Sequence, residues 1–370
     1  MLRLNESNFI HNLETLKKAN PATQMGIVLK ANAYNHDIVK IAGISRDYAE
    51  WYLVSNTKEA RLIAQLNLDK PILMLYTFED SDLEILKDSP EIRFSIYSLQ
   101  SLKLLLKYAK LMKVRIIIHL NIDTGMHCLG IENMAELEEV LQILEANQEF
   151  IKLEGVWTHL ATADDLESQY YYEQISRFKT KLDLITSKEF VELGVIHYQN
   201  TAAFIRGNLP ENSLEEFQIP IMARLGIGVY GYYPSNDIKK LANSNNLELK
   251  PALIWESEVV HIKELQKGDS ISYNQTFVCE KDTVIAIIPL GYSDGYSRLL
   301  SNVGEVTIHK HKCRVLGRVR MNMFAVDITN LKDIQIGDVV RLLGPENSVD
   351  EIATQTQTIN YEVITRIKGD

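Results

Sequence analysis

The stretch Met25-Gly26-Ile27-Val28-Leu29-Lys30-Ala31-Asn32-Ala33-Tyr34-Asn35-His36 sets an apolar run against a segment of small and polar residues, with a lysine at the junction. A run of that length with such flanks reads as a buried strand. A lysine at its end stands at the mouth of a pocket, partly withdrawn from water. Desolvation disfavours an ammonium, so such a lysine can act as a base or bond covalently to a carbonyl. An isolated strand-end lysine more often snorkels to solvent. The reading therefore depends on what else the chain brings to its strand ends.

Outward from this stretch the pattern repeats. Apolar segments at 25–29, 51–55, 71–76, 93–95, 114–122, 153–159, 195–198 and 221–228 read as strands. Amphipathic segments at 9–19, 57–66, 99–108, 135–147 and 170–186 lie between them; Leu99, Leu102 and Leu106, for example, recur at helical spacing. Eight strand–helix units in succession predict a (β/α)8 barrel or a doubly wound sheet, and periodicity alone does not separate the two. Lys30, His159, Asn200, Thr201 and Arg224 all fall at carboxyl ends of these strands, where such folds carry their chemistry.

The pattern changes near Pro234. Residues 235–250, with Asn243-Ser244-Asn245-Asn246, read as a polar connection. Short strands follow at 254–262, 284–288, 305–309, 313–319, 324–327 and 339–343, with turn signals at Gly268-Asp269 and Gly337-Asp338. This predicts an α/β barrel domain over 1–234 and a mostly antiparallel β domain over 235–370.

Composition sets the outer bounds. With 370 residues, 46% hydrophobic and 24% charged, the chain has the make-up of a globular protein of two domains. No apolar run is long enough to span a bilayer, and Met1-Leu2-Arg3-Leu4-Asn5 opens no secretory signal. Cys128, Cys279 and Cys313 are widely spaced, which predicts neither a disulfide framework nor a metal site and points to the reducing cytoplasm. A net charge of −10 without a basic tract argues against nucleic-acid binding.

The segment Val28-Leu29-Lys30-Ala31-Asn32-Ala33-Tyr34 resembles the cofactor-lysine motif of the alanine racemases, pyridoxal-phosphate enzymes of fold type III. The resemblance continues, in that family's order, through Asp123-Thr124-Gly125-Met126, Thr158-His159-Leu160-Ala161-Thr162-Ala163-Asp164, Asn200-Thr201-Ala202-Ala203 and Arg224-Leu225-Gly226-Ile227. It ends with Ser272-Tyr273, Gly291-Tyr292-Ser293-Asp294-Gly295-Tyr296 and Ile359-Asn360-Tyr361-Glu362. It covers nearly the whole chain and implies the barrel rather than the open sheet.

The resemblance also implies roles. Lys30 would hold pyridoxal 5′-phosphate and, once released from it, act as base on one face of the substrate Cα. Tyr273, from the second subunit of a head-to-tail homodimer, would act on the opposite face. A phenol with a pKa of about 10 needs help to do so; a hydrogen-bonded chain from Tyr273 through His159 to Arg224 would supply it. Arg224 would face the pyridine nitrogen and keep it unprotonated, where a transaminase or decarboxylase places an acid. Gly226 and Ile227 (through backbone N–H), Thr201, Tyr34 and Tyr361 match the phosphate ligands, with Asn200 beside them. Tyr292 and Met321 match residues at the substrate entrance.

Three positions depart from the family pattern. Asn121 and Cys128 stand where a lysine and an arginine are usual, and Arg320 where relatives often have cysteine. Arg320 is therefore a candidate to restore the positive charge lost at Cys128. The expected activity is interconversion of L- and D-alanine. Alternatives are a racemase of serine or another small or polar amino acid, and a cofactor-binding homologue with weak or no catalysis.

Overall fold

Hydrogen bonding sorts most of the strands into two eight-stranded sheets of opposite character. The computed structural model describes residues 1–207 and 214–368. Strand β1 is Leu2–Leu4; β2 to β9 are Gln24–Val28, Trp51–Val54, Ile72–Met74, Ile92–Ile96, Ile116–Asn121, Ile151–Trp157, Val195–His197 and Met222–Leu225. Strands β2 to β8 pair in parallel, each with the next, and β9 pairs with β2. Between β8 and β9 the ladder thins to two parallel bridges, Ile196–Ile221 and Asn200–Arg224. They close the ring, so the sheet is a barrel. Helices form the intervening layer. Tyr170–Thr186, for example, buries Tyr171, Ile175, Phe178, Leu182 and Ile185 along one stripe, each worth about 1.5–3 kcal/mol relative to exposure for the aliphatic and Phe side chains.

The lumen is unusual. Barrel interiors are normally filled by layers of branched aliphatic side chains. Here the Trp51 ring lies 5.2 Å from that of His119 and 5.9 Å from the Arg93 guanidinium. Arg93 Nε donates to Glu154 Oε2 at 3.1 Å, and the His119 and His197 rings meet at 2.8 Å. Arg224 lies 4.9 Å from the Trp157 ring, whose Nε1–H donates to Ser95 Oγ at 3.2 Å. Each pair joins strands that are not neighbours in the ring, so each contact crosses the interior.

The second sheet is antiparallel. Its strands are β1 with β10 (Leu253–Glu258), β11 (His261–Leu265), β14 (Thr283–Ile288), β15 (Glu305–Ile308), β16 (His311–Leu316), β17 (Phe324–Asp327) and β18 (Val339–Leu343), in the order β1-β10-β18-β15-β16-β17-β14-β11. A two-stranded ribbon of β12 (Ser270–Ile271) and β13 (Phe277–Val278) accompanies it. The expected strand over 254–262 is two strands at different places in the sheet. Val259 N–H bonds Asp338 O and Val260 N–H bonds Ile287 O, so the chain changes partners between them.

Contacts group the residues near the expected boundaries somewhat differently. Residues 1–9 group with the β unit, together with 34–36 and 251 onward. The cause is local: β1 pairs with β10, Leu2 opposite Trp255 and Leu4 opposite Leu253. Residues 235–250 are not a bare connection and group with the barrel unit. Ser235 caps the helix Asn236–Ser244 by accepting from Ile238 N–H at 3.2 Å, and the helix buries Ile238 and Ala242 one turn apart. Residues 369–370 of the expected second domain lie outside the described residues.

Candidate active site

Strand β2 ends at Val28, and Lys30 opens the helical segment Lys30–Asn35 just beyond it. That segment turns the wrong way. Ala31, Asn32, Ala33, Tyr34 and Asn35 have φ of 54, 54, 55, 53 and 68°, the left-handed region, which costs non-glycine residues roughly 1–2 kcal/mol each. Such strain persists only where surroundings over-determine it. In the barrel unit Ala31 N–H donates to the buried Glu59 carboxylate at 2.8 Å, Ala33 N–H to Leu29 O at 2.8 Å, and Asn32 Oδ1 accepts from Ile38 N–H at 3.0 Å. The same Glu59 carboxylate accepts from Ser55 N–H and Oγ, both at 2.8 Å. Lys30 Nζ lies 3.3 Å from the Tyr76 hydroxyl and 5.6 Å from its ring centroid.

Arg224 is 3% exposed and projects from β9. Its Nη1 donates to His197 O at 2.5 Å, and its Nη2 to Thr158 O at 2.8 Å and His159 Nδ1 at 3.1 Å. Among the described residues no carboxylate lies within ion-pair distance of it. Burial lowers its pKa to about 9, so it stays charged at neutral pH. His159 follows β7 and is exposed. Crowding of the ring, then the positive charges of Arg224 and Lys30, lower its pKa to about 3. The imidazole is therefore neutral at pH 7. Gln174 braces this loop: its amide donates to His159 O at 3.1 Å and Thr124 Oγ1 at 3.2 Å, and its carbonyl accepts from Ala161 N–H at 2.8 Å.

Asn200 follows β8 and caps the short helix Thr201–Arg206, accepting from Ala203 N–H at 3.0 Å. Gly226 and Ile227 follow β9, and among the described residues their N–H groups donate to no acceptor. Gly228 N–H reaches Thr201 Oγ1 at 3.4 Å, and a Cβ at 228 would meet Thr201 Cγ2 at 2.7 Å. Oriented N–H groups and a hydroxyl beside a bare glycine make a cradle for an anion. The donor set therefore fits pyridoxal phosphate: a cradle for its phosphate, a buried guanidinium without a carboxylate for its ring nitrogen, and Lys30 for its aldehyde.

The β unit holds the remaining expected residues. Tyr34 and Tyr361 face one another, ring centroids 6.1 Å apart. Tyr273 is 66% exposed at the start of a 3-10 turn. Tyr292 N–H donates to Arg320 O at 3.1 Å, and Met321 O accepts from Ser293 N–H at 3.0 Å and Ser293 Oγ at 2.7 Å. Arg320 Nε is buried with no hydrogen-bond partner among the described residues.

The departures have a structural account in part. Asn121, at the end of β6, donates from Nδ2 to Leu129 O at 3.2 Å and so ties down the loop that leads to Cys128, which is exposed. Asp123 of the same loop accepts from the N–H groups of Gly125, Met126 and His127 at 2.8, 3.0 and 3.2 Å. The motif there shapes a loop.

Tyr76, Gln174 and His197 were not singled out by any motif. Tyr76 ends an expected strand, the signal that picked out Lys30. Gln174 lies in an amphipathic stripe and His197 in an apolar run, where neighbours in sequence say nothing of partners in space. Among the described residues no group of three His, Cys, Asp or Glu could hold a metal ion, and no helix is long and apolar enough to cross a membrane.

Comparison with known proteins agrees with this geometry. Residues 4–234 match the profile of the alanine racemase N-terminal domain and residues 252–370 that of the C-terminal domain. The chain is 32% identical over 367 residues to alanine racemase 1 of Clostridium acetobutylicum, covering 97% of this chain and 91% of that protein. It is equally 32% identical to the alanine racemase of Methanococcus maripaludis, covering 97% and 94%. Among solved structures, alanine racemase of Clostridium difficile 630 superposes with a TM-score of 0.89 at 31% identity, covering 99% of this chain and 93% of that one. The chain belongs to the alanine racemase family.

Proposed function

We propose that the protein is a pyridoxal-phosphate-dependent racemase that interconverts L- and D-alanine, as a homodimer in the cytoplasm. The observation that carries the reading is Arg224: a buried guanidinium with no carboxylate partner among the described residues, bonded to a neutral imidazole, on the same barrel rim as Lys30. When bound, the cofactor supplies the electron sink that acidifies the Cα–H of an amino acid joined to it. The chain's own groups do the rest. Thr201 Oγ and the N–H groups of Gly226 and Ile227 bind the phosphate, with Tyr34, Tyr361 and Asn200 assigned to the same end. Arg224 offers only N–H donors and so keeps the ring nitrogen an acceptor. Lys30 Nζ takes or returns the Cα proton on one face.

Tyr273 of the partner subunit takes or returns it on the other. His159, neutral and accepting at Nδ1 from Arg224, carries its proton on Nε2, which suits it to stabilise an ionised phenol. Tyr292, Met321 and Arg320 receive the substrate; Arg320 supplies the charge that Cys128 lacks, and an Arg320→Ala variant with unchanged KM would remove that assignment. Bulky Tyr361 and Tyr292 favour a small side chain.

The decisive experiment is Cα proton–deuterium exchange in heavy water over a panel of L- and D-amino acids. Exchange and interconversion of both alanine enantiomers are expected. Exchange with neither, in protein that holds the cofactor, would overturn the reading; preference for serine would correct the substrate. The shared site has its own test. Mixing Lys30→Ala with Tyr273→Phe protein should restore about a quarter of wild-type activity through hybrid dimers with one intact site.

A further inference from the structure

Three groups of the lumen have no part in the chemistry above: the half-buried Glu154 and the fully buried His119 and His197. They form a continuous line to it. Arg93 Nε donates to Glu154 Oε2 at 3.1 Å, and His119 Nε2 lies 3.4 Å from the same oxygen. His119 Nδ1 lies 2.8 Å from His197 Nε2. His197 Nδ1 lies 3.4 Å from Arg224 Nη1, and Arg224 Nη2 reaches His159 Nδ1 at 3.1 Å. The line runs from β5 and β7 through β6 and β8 to β9 and the rim.

The backbone is shaped for it. The β6–β7 ladder shifts register so that Ile118 pairs with Leu153 and His119 with Gly155, leaving Glu154 as the extra residue of a bulge. Bulges re-aim side chains next to functional sites. At the neighbouring position a Cβ on Gly155 would sit 2.5 Å from His119 Nδ1. Glycine there lets the imidazole lie against β7 with its other nitrogen toward Glu154.

Donor and acceptor logic then leaves one arrangement. Burial lowers the pKa of both imidazoles, and that of His197 further through His119 and Arg224, so both rings are neutral. Burial alone would raise the Glu154 carboxyl, but the His119 hydrogen bond and the Arg93 charge outweigh it and keep the group ionised. A carboxylate only accepts, so His119 carries its proton on Nε2 and accepts at Nδ1. His197 must then donate from Nε2 and accept at Nδ1. A guanidinium only donates, which suits that Nδ1. Reversing both rings would set acceptor against acceptor at Glu154 and donor against donor at Arg224. Each ring's tautomer constrains the next, so the pair changes as a unit.

We infer that Glu154 is a positioning residue for the rim site: through His119 and His197 it sets which ring nitrogen carries each proton, and thereby holds the Arg224 guanidinium in the orientation that presents it to the ligand and to His159. The tautomer assignment stands on hydrogen-bond geometry and on the burial that keeps both rings neutral; only its effect on turnover rests on the function proposed above.

The test reads the tautomers directly. The chain has nine histidines, few enough for two-bond proton–nitrogen correlation spectra of histidine-labelled holoprotein, with signals assigned through His119→Gln and His197→Gln. In the wild type, His119, His197 and His159 should each show a pyrrole-like Nε2 and a pyridine-like Nδ1. Glu154→Leu should move proton density onto Nδ1 in His119 and His197 and lower kcat by about 10–100-fold, by analogy with outer-shell groups that orient metal ligands, with KM less affected. Glu154→Gln, which keeps an accepting oxygen, should retain the wild-type tautomers. A wild-type His119 or His197 protonated on Nδ1 overturns the inference. So does a folded Glu154→Leu protein with unchanged tautomers. If that variant does not fold, the wild-type spectrum decides the matter by itself. In the wild type, absence of the tautomer pattern with racemisation present sinks this inference and spares the proposed function; the pattern without racemisation does the reverse.

Discussion

The lumen of the barrel and the core of the β unit are both buried, and they are built from different materials. In the β unit Ile271, Cys279, Ile285, Leu316 and Ala325 form a buried cluster of apolar side chains, and Tyr296 stacks on Phe324 at 4.4 Å. In the lumen the corresponding space holds two arginines, a glutamate, two histidines and two tryptophans, joined across the ring. Aliphatic packing stabilises in proportion to the area removed from water. A buried polar pair contributes little net and costs much when one partner is lost. The β unit thus devotes its interior to stability, and the barrel devotes part of its interior to orientation. Perturbing the first should change how firmly the protein folds; perturbing the second should change what it does.

The strongest challenge to that division is at the rim. Lys30→Ala should reduce Cα exchange of both alanine enantiomers by more than about 10⁴-fold with little loss of stability; chemical denaturation alongside exchange kinetics checks both halves. Tyr273→Phe is next. It should reduce interconversion by about 10²–10⁴-fold while exchange survives for the one enantiomer that Lys30 deprotonates. Equal loss for both enantiomers would count against a second base. In the β unit, Leu342 is fully buried, and Leu342→Ala should cost about 2–5 kcal/mol in a urea titration, with kcat per folded molecule unchanged.

A pH series separates the two interiors more gently. His119 and His197 have pKa values lowered in the fold from the ordinary 6.5. The unfolded chain therefore binds more protons than the folded one as pH falls below 6.5. Stability is complete above that value and should decline as pH falls below it. A flat urea midpoint between pH 7 and 5.5 would show that these rings are not held neutral. The smallest effect is at Tyr76, whose hydroxyl lies 3.3 Å from Lys30 Nζ. Tyr76→Phe removes one partly exposed hydrogen bond worth about 0.5–1.5 kcal/mol. Turnover should fall by roughly three- to tenfold, with cofactor absorbance retained.

Much of this protein was legible one residue at a time. Period-two and period-3.6 patterns mark strands and helices because each element hides one face, and the order of units carries the fold class. Lys30, His159, Asn200, Thr201 and Arg224 could be named because strand ends are where an α/β barrel exposes chemistry. Residues in short ordered motifs keep their meaning without coordinates.

Other features depended on the tertiary structure, for definite physical reasons. Periodicity is identical in a barrel and an open sheet; the bridges Ile196–Ile221 and Asn200–Arg224 decide between them. Strand β1 is three residues long, too short for a pattern, and its pairing with β10 bridges some 250 residues of sequence. The left-handed turn at Ala31–Asn35 runs against intrinsic preference and exists only because Glu59, Leu29 and Ile38 hold it. The line from Glu154 to Arg224 has no sequence signature, since its members lie on four strands and face inward only once the ring is closed. Local chemistry determined which residues could act; closure of the barrel determined which of them meet.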